Sequence, residues 1–228
     1  MPRFLILRLD GPMQAWGTHT YEDFRPANHF PTRSGLLGLI GACLGLDRQD
    51  RPALERLAQS VEFTVRVDRQ VSRPQQEKPQ RKDPLKLRDF HTVCDARKVD
   101  GSKSEYPVVS YREYLHDAAF TVAVMEKPNA AYPLERLIQA LRQPLYTPVL
   151  GRRSCPLARP LLENREAIEA ENAKFALDRI PPGHGLMYAE GEMLANGKPL
   201  PLRDVPLYGR YRQFGTRRVY VHASKQEV

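Results

Sequence analysis

The residues of this chain best suited to chemistry are arginines beside a helix start and a glycine turn, and the chemistry they suit is the holding of phosphate. Phe30-Pro-Thr-Arg-Ser-Gly35 puts Arg33 and the hydroxyls of Thr32 and Ser34 at a helix start, where unpaired backbone N–H groups and the helix dipole attract anions. Ordinary capping accounts for Thr32 and Ser34 equally well. Gly151-Arg-Arg-Ser-Cys-Pro156 joins a flexible backbone to Arg152 and Arg153, whose planar guanidiniums can give phosphate two parallel hydrogen bonds. A solvated basic turn is the plainer account of that segment. Gly11-Pro-Met-Gln-Ala-Trp-Gly17 carries the only tryptophan, and Trp16 either stacks on an unpaired base or plugs its loop into the core.

Histidine raises a catalytic alternative, since metal-independent RNA cleavage needs a base for the 2′-hydroxyl and an acid for the leaving oxygen. Of His19, His29, His91, His116, His184 and His222, His91 near Lys86 and Arg88 is the best placed. No spacing singles it out, and a hydrogen-bonded structural histidine is the plainer reading. The patterns HExxH, GxxxxGK[ST] and GxSxG are missing, which argues against the common zinc-protease, P-loop and hydrolase readings. An RNP1 aromatic signature is missing too, so an ordinary RRM is not expected. Cys43, Cys94 and Cys155 lie more than fifty positions apart, with neither a disulfide framework nor a CxxC metal spacing. They read as reduced and unliganded, and no metal or cofactor is expected.

Charge favours the same class of partner. With 35 Lys and Arg against 27 Asp and Glu, the chain carries +8, which suits a polyanion, above all nucleic acid. Arg66 to Arg88 holds eight cations and three anions, five of the eight net charges.

The elements that must position these groups follow from the hydrophobic pattern. Arg3-Phe-Leu-Ile-Leu-Arg-Leu9 is a short apolar run ending at Asp10-Gly-Pro12 and predicts a buried central strand. Ser34 to Gly45 is apolar all round and predicts a buried helix capped by Thr32 or Ser34; its glycines at 35, 38 and 41 imply close packing. A short helix follows over Pro52 to Gln59. Val61-Glu-Phe-Thr-Val-Arg-Val67 alternates with period two, as a strand with one wet face does. Residues 68 to 89 combine Pro74, Pro79 and Pro84 with glutamine and charge, which suits an extended arm or long hairpin. Phe120 to Met125 predicts a strand, and Leu134, Leu137, Ile138 and Leu141 form one helical face ended by Pro144.

A further strand over Tyr146 to Leu150 would complete a ferredoxin-like βαββαβ unit of the α+β class. Beyond Gly151 the pattern gives a helical acidic patch (Glu163, Glu166, Glu169, Glu171) and a strand at Arg217 to His222 within a smaller, mostly β region. A chain of 228 residues accommodates one large domain or two small ones. The longest apolar run, Leu36 to Leu46, is far short of the roughly 20 residues of a membrane span. The start lacks a signal-peptide layout, so no membrane association and a cytoplasmic location are expected.

Five segments together are more specific than any one alone. Arg3 to Gly17, Phe30 to Gly45, Leu87-Arg-Asp-Phe-His-Thr-Val93, Tyr111-Arg-Glu-Tyr-Leu-His-Asp-Ala-Ala-Phe-Thr-Val122 and Tyr146-Thr-Pro-Val-Leu-Gly-Arg-Arg-Ser-Cys-Pro156 closely resemble, in the same order, the CasD family, the fifth-family RAMP subunits of the type I-E CRISPR Cascade complex. The resemblance spans about residues 1 to 160. It implies a ferredoxin-like RAMP domain over 1–150, with a β-hairpin thumb inserted between its second and third strands at about 68–110, and a smaller β-rich region over 151–228. It also implies a non-catalytic RNA-binding subunit that caps the 5′ handle of the crRNA. Such a subunit lies beside a CasC-type backbone subunit and a CasA-type large subunit, and meets target DNA only through the complex.

With the residues above, this gives an expected RNA-binding set. Arg33, Ser34, Arg152 and Arg153 would hold handle phosphates, Trp16 and Tyr146 would offer surfaces to splayed bases, and Arg88 and His91 would steer the RNA where the thumb rejoins the fold. The alternatives are an endoribonuclease using Tyr111, Lys86 and His91, and an adaptor that touches only protein.

Overall fold

The computed structural model describes residues 1–68, 85–98, 100–182, 185–191, 196–209 and 212–223. Strand β1 (Arg3–Asp10) is buried on both faces from Phe4 to Leu7, and Gly11-Pro12 turns it into the two-residue strand β2 (Met13–Gln14). After β3 (Phe24–Arg25), the Thr32 hydroxyl accepts the Gly35 N–H at 3.3 Å and caps α1 (Arg33–Leu44). Gly45 ends that helix at φ +73°, where a Cβ would also lie 2.1 Å from the Leu145 side chain, so glycine is required twice over. Asp50 caps α2 (Arg51–Ser60), which runs straight into β4 (Val61–Asp68). The chain then leaves this layer and returns through β5 (Leu85–Val93) and β6 (Val108–His116) before β7 (Ala119–Glu126) and α3 (Leu134–Arg142). The remainder holds β8 (Ile168–Glu169), α4 (Ala173–Asp178), β9 (Gly185–Ala189), β10 (Lys198–Tyr208) and β11 (Arg212–Ala223).

Seven strands form one sheet in the order β10-β11-β9-β4-β7-β1-β8. Within it β4-β7-β1-β8 is the antiparallel order of a ferredoxin-like unit, with β5 and β6 inserted between its second and third strands. That insertion matches the expected thumb, although residues 69–84 of it lie outside the described residues. The fourth strand is not the expected one. Tyr146–Leu150 is an irregular connection, broken by Pro148 and by the Leu150 N–H donating to the Cys155 carbonyl at 2.8 Å.

The outer edge of β1 is taken instead by residues 161–169. Arg8 N–H donates to the Leu161 carbonyl at 2.7 Å, Glu163 N–H to the Ile6 carbonyl at 3.1 Å, and β8 pairs with Arg3 and Phe4. The acidic patch from Glu163 is therefore extended rather than helical, and the helix begins only after Asn172, whose side chain accepts the Phe175 N–H at 3.2 Å. Nor do the strands after Gly151 form a layer of their own. β9 pairs with β4, and β11 with β9, so the sheet runs unbroken across the boundary drawn at 150/151.

Both faces of the sheet are covered at its β4-β7-β1 centre. Leu5, Leu7, Phe63, Val65, Phe120 and Val122 pack with α1 and α3, while Phe4, Ile6 and Met187 pack with Ala176, Leu177 and Ile180 at α4. This second cover explains why β4 lacks the wet face that its alternation suggests. Arg66 lies wholly buried there, bonded to Asp68 at 2.7 Å, Thr121 at 3.1 Å and the Leu177 carbonyl. Asp68 also receives Arg8 at 3.0 Å and the Thr121 hydroxyl at 2.7 Å. A cation counted in the basic arm thus belongs to the core.

Candidate nucleic-acid interface

The β5–β6 hairpin is the centre of a second sheet, in which β6 also pairs with β2 and β3. Directly opposed residues share a sheet face, so the register sorts its side chains. Phe90 opposes Tyr111, Arg88 opposes Glu113, and Phe24 of β3 opposes Tyr111 from the other side. One face therefore carries Phe24, Phe90 and Tyr111 with Arg88 and Lys86. The Phe24 and Tyr111 rings stack at 5.2 Å and 18°, Phe90 meets Tyr111 edge-on at 5.4 Å, and the Arg88 guanidinium lies 5.6 Å over Phe24. Phe90 is 56% exposed, Phe24 44% and Tyr111 37%. Three exposed, mutually braced rings under a cation make a surface on which unpaired bases can stack while the cations meet the backbone.

Glu113 anchors the cations. Its carboxylate accepts Lys86 and the Ala27 N–H at 3.1 Å each and lies 3.8 Å from Arg88. Partial burial pushes its pKa up, but these partners outweigh that and hold it below the ordinary carboxylate value.

The opposite face holds His91, Asp89 and Tyr114. His91 Nε2 lies 2.8 Å from Asp89 and 3.3 Å from the Tyr114 hydroxyl. The Arg152 guanidinium covers the Tyr114 ring at 4.6 Å and donates to the carbonyls of Glu113 at 3.1 Å and Arg25 at 3.0 Å. It thereby ties the 151–156 loop to β3 and β6. Gly151 permits this approach: at φ +91°, any Cβ would stand 2.0 Å from the Ala15 carbonyl oxygen. Arg153, next along, is exposed, with no side-chain partner shown among the described residues.

The other expected contacts fall elsewhere. Trp16 has no exposed surface; its Nε1–H donates to Gln14 at 2.9 Å, and its ring lies where a Cβ on Gly35 would come within 2.7 Å. It is a core residue and offers no face to a base, which also explains one helix glycine. Arg33 is buried as well. Its N–H donates to Asp204 at 2.8 Å, and its guanidinium reaches Glu190 and the carbonyls of Ala58 and Val61. The α1 start therefore already holds an internal carboxylate, itself gripped by Arg217 at 2.6 and 2.7 Å, and Arg33 serves the fold. Ser34 is half-buried beside the Thr32 hydroxyl at 3.4 Å. Tyr146, in the connection after α3, is 54% exposed beside the last turn of α1, its N–H donating to the Ala42 carbonyl at 3.2 Å. Of the expected set, only Arg88, His91 and Arg152 are built into this hairpin and its base.

Comparison with known proteins gives this surface its context. A family model described as CRISPR-associated protein (Cas_Cas5) matches residues 4–220. The chain belongs to the Cas5 family of CRISPR-associated proteins. Among curated relatives of this Cas5 chain is the CRISPR system Cascade subunit CasD of Escherichia coli (strain K12), 44% identical over all of this chain and 99% of that one. Among solved structures, a chain of a CRISPR RNA-guided surveillance complex aligns at TM-score 0.72 and 29% identity, covering 97% of this chain and 90% of that one. A structure titled as a Cas protein aligns at TM-score 0.63 and 27% identity, covering 96% and 94%.

What sequence reasoning missed in this Cas5 chain is the aromatic face itself. Lys86, Arg88 and Phe90 recur at a spacing of two, which on a strand puts all three on one side, and that signal was available. Phe24 had none, because a two-residue strand has no period to read. Among the described residues no helix is long and apolar enough to cross a membrane, and no group of three His, Cys, Asp or Glu side chains could hold a metal ion.

Proposed function

We propose that this Cas5 chain is the subunit of a Cascade-type complex that binds the crRNA 5′ handle and shapes it without cutting it. The observation that carries this reading is the exposed Phe24–Tyr111–Phe90 cluster under Arg88, on a chain 44% identical to a Cascade subunit. Bases of a single strand stack on the rings, while Arg88, Lys86 and Arg153 meet phosphates. Arg152 positions the hairpin, with His91 on its reverse face. Tyr146 is a separate, exposed stacking surface. In the assembled particle the chain bridges a CasC-type backbone subunit and a CasA-type large subunit, meets target DNA only through them, and works in the cytoplasm.

The pair His91–Asp89 beside the Tyr114 hydroxyl favours one second reading, metal-independent cleavage of precursor crRNA. The residues that reading needs do not converge: His91 opposes Ser110 on one face of the hairpin, whereas Tyr111 and Lys86 point to the other. End-labelled repeat RNA incubated in excess EDTA with the protein, alone and with its partner subunits, separates the two. The proposal requires an uncut 5′ handle whose protection depends on this subunit. A discrete cut made by the protein alone would replace it with the nuclease reading.

A further inference from the structure

We propose that the groove between α1, α2 and the β10–β11 hairpin docks an acidic, apolar-anchored segment of a partner protein. The groove encloses about 800 Å³. Leu37, Gly38 and Leu54 line it from the helices, and Leu207, Tyr208 and Phe214 from the hairpin. Gly38 is the telling residue. Gly35 receives the Trp16 ring, and a Cβ at Gly41 would touch Leu54 and Leu57 at 3.8 Å, whereas one at Gly38 would meet nothing within 4 Å. Packing among the described residues gives no reason for a glycine in mid-helix, where it is costly. Its effect is to bare the helix backbone to the groove, which lets another chain approach closely.

Charge sets the chemistry of that chain. Arg48 and Arg51 stand exposed among the lining residues, with no side-chain partner shown among the described residues. They are placed to pair with Asp or Glu flanking an apolar anchor in the groove. Leu37, Pro52, Leu54, Pro206 and Leu207 line the groove beside the half-buried rings of Tyr208 and Phe214, a mixed apolar lining that suits a protein anchor better than stacked bases. The exposed, mutually braced rings that bases need are on the β5–β6 hairpin instead.

This inference rests on membership of a multi-subunit complex, and its test runs on the complex reassembled from crRNA and all subunits. A photoreactive benzoylphenylalanine replaces Leu207, which is 49% exposed, and cross-linked products are mapped. The expected product joins Leu207 to a partner subunit at a segment with Asp or Glu within a few residues of an apolar side chain. In parallel, Gly38→Leu, which fills the groove, should lower incorporation of this subunit at least tenfold. Gly38→Ala should raise the melting temperature of the isolated protein by about 2–4 °C, since it gains helix propensity and meets no neighbour. Cross-links to RNA or to no partner, or normal incorporation of Gly38→Leu, would each overturn the proposal. The RNA reading fails separately: handle protection unaffected by Arg88→Ala with Tyr111→Ala would refute that reading and leave the groove result standing.

Discussion

Tyr111 is the hinge of the proposed RNA surface, because both Phe24 and Phe90 lean on it. If bases rest there, Tyr111→Ala should cost about 1–3 kcal/mol of RNA affinity in a filter-binding titration, with little change in thermal stability. Arg88→Ala should weaken binding and flatten the salt slope by about 0.7, the value for one released counterion on a single strand. An unchanged slope would remove Arg88 from the phosphate contacts. Trp16 is the opposite case. Wholly buried against Gly35 and bonded to Gln14, it should cost about 3–5 kcal/mol of stability when cut to alanine, read by denaturant unfolding.

Glu113 makes a pH-dependent prediction. Its folded pKa is depressed, so the stability it contributes is fully present above the ordinary value of about 4.3 and is lost as pH falls through the lower folded value. The difference in melting temperature between the wild type and Glu113→Gln should therefore narrow below about pH 4. A difference that stays constant down to pH 2.5 would contradict the assignment.

At the scale of elements, β1, α1, β4, β7 and α3 were legible because each is long enough to show its period or its continuous apolar run. The α1 cap at Thr32 and the stop at Gly45 were written in local chemistry as well. The fourth ferredoxin strand was not, because β8 has only two residues and its segment is held by pairing with β1 rather than by its own pattern. Arg33 and Arg66 misled for one common reason: a guanidinium looks the same in sequence whether it faces solvent or a buried carboxylate. Only the folded contacts separate Arg66, tied to Asp68 within the sheet, from Arg88 at the surface. Arg66→Ala should accordingly cost about 3–5 kcal/mol, since it breaks a buried ion pair, leaves Asp68 to Arg8 and Thr121, and removes the donor to the Leu177 carbonyl. Arg88→Ala should stay within about 0.5 kcal/mol, and chemical denaturation of the two variants side by side checks the contrast.

For the whole molecule, the division of labour follows from where charge and aromatic surface end up. One continuous seven-stranded sheet, covered on both faces at its centre, takes in some of the arginines as structural ions. The inserted hairpin sheet carries the exposed rings together with Lys86 and Arg88, both held by Glu113. The fold thus supplies a packed base and an exposed aromatic and basic surface, the one proposed to meet RNA, within a net charge of +8. The most direct test is ultraviolet cross-linking of crRNA within the assembled complex, with the linked residues mapped by mass spectrometry. The account predicts that 5′-handle nucleotides link to Phe24, Phe90 or Tyr111 and that these links vanish in a Phe90→Ala, Tyr111→Ala variant that still assembles. Handle cross-links confined to other subunits, or to surfaces of this chain away from the β5–β6 hairpin, would contradict it.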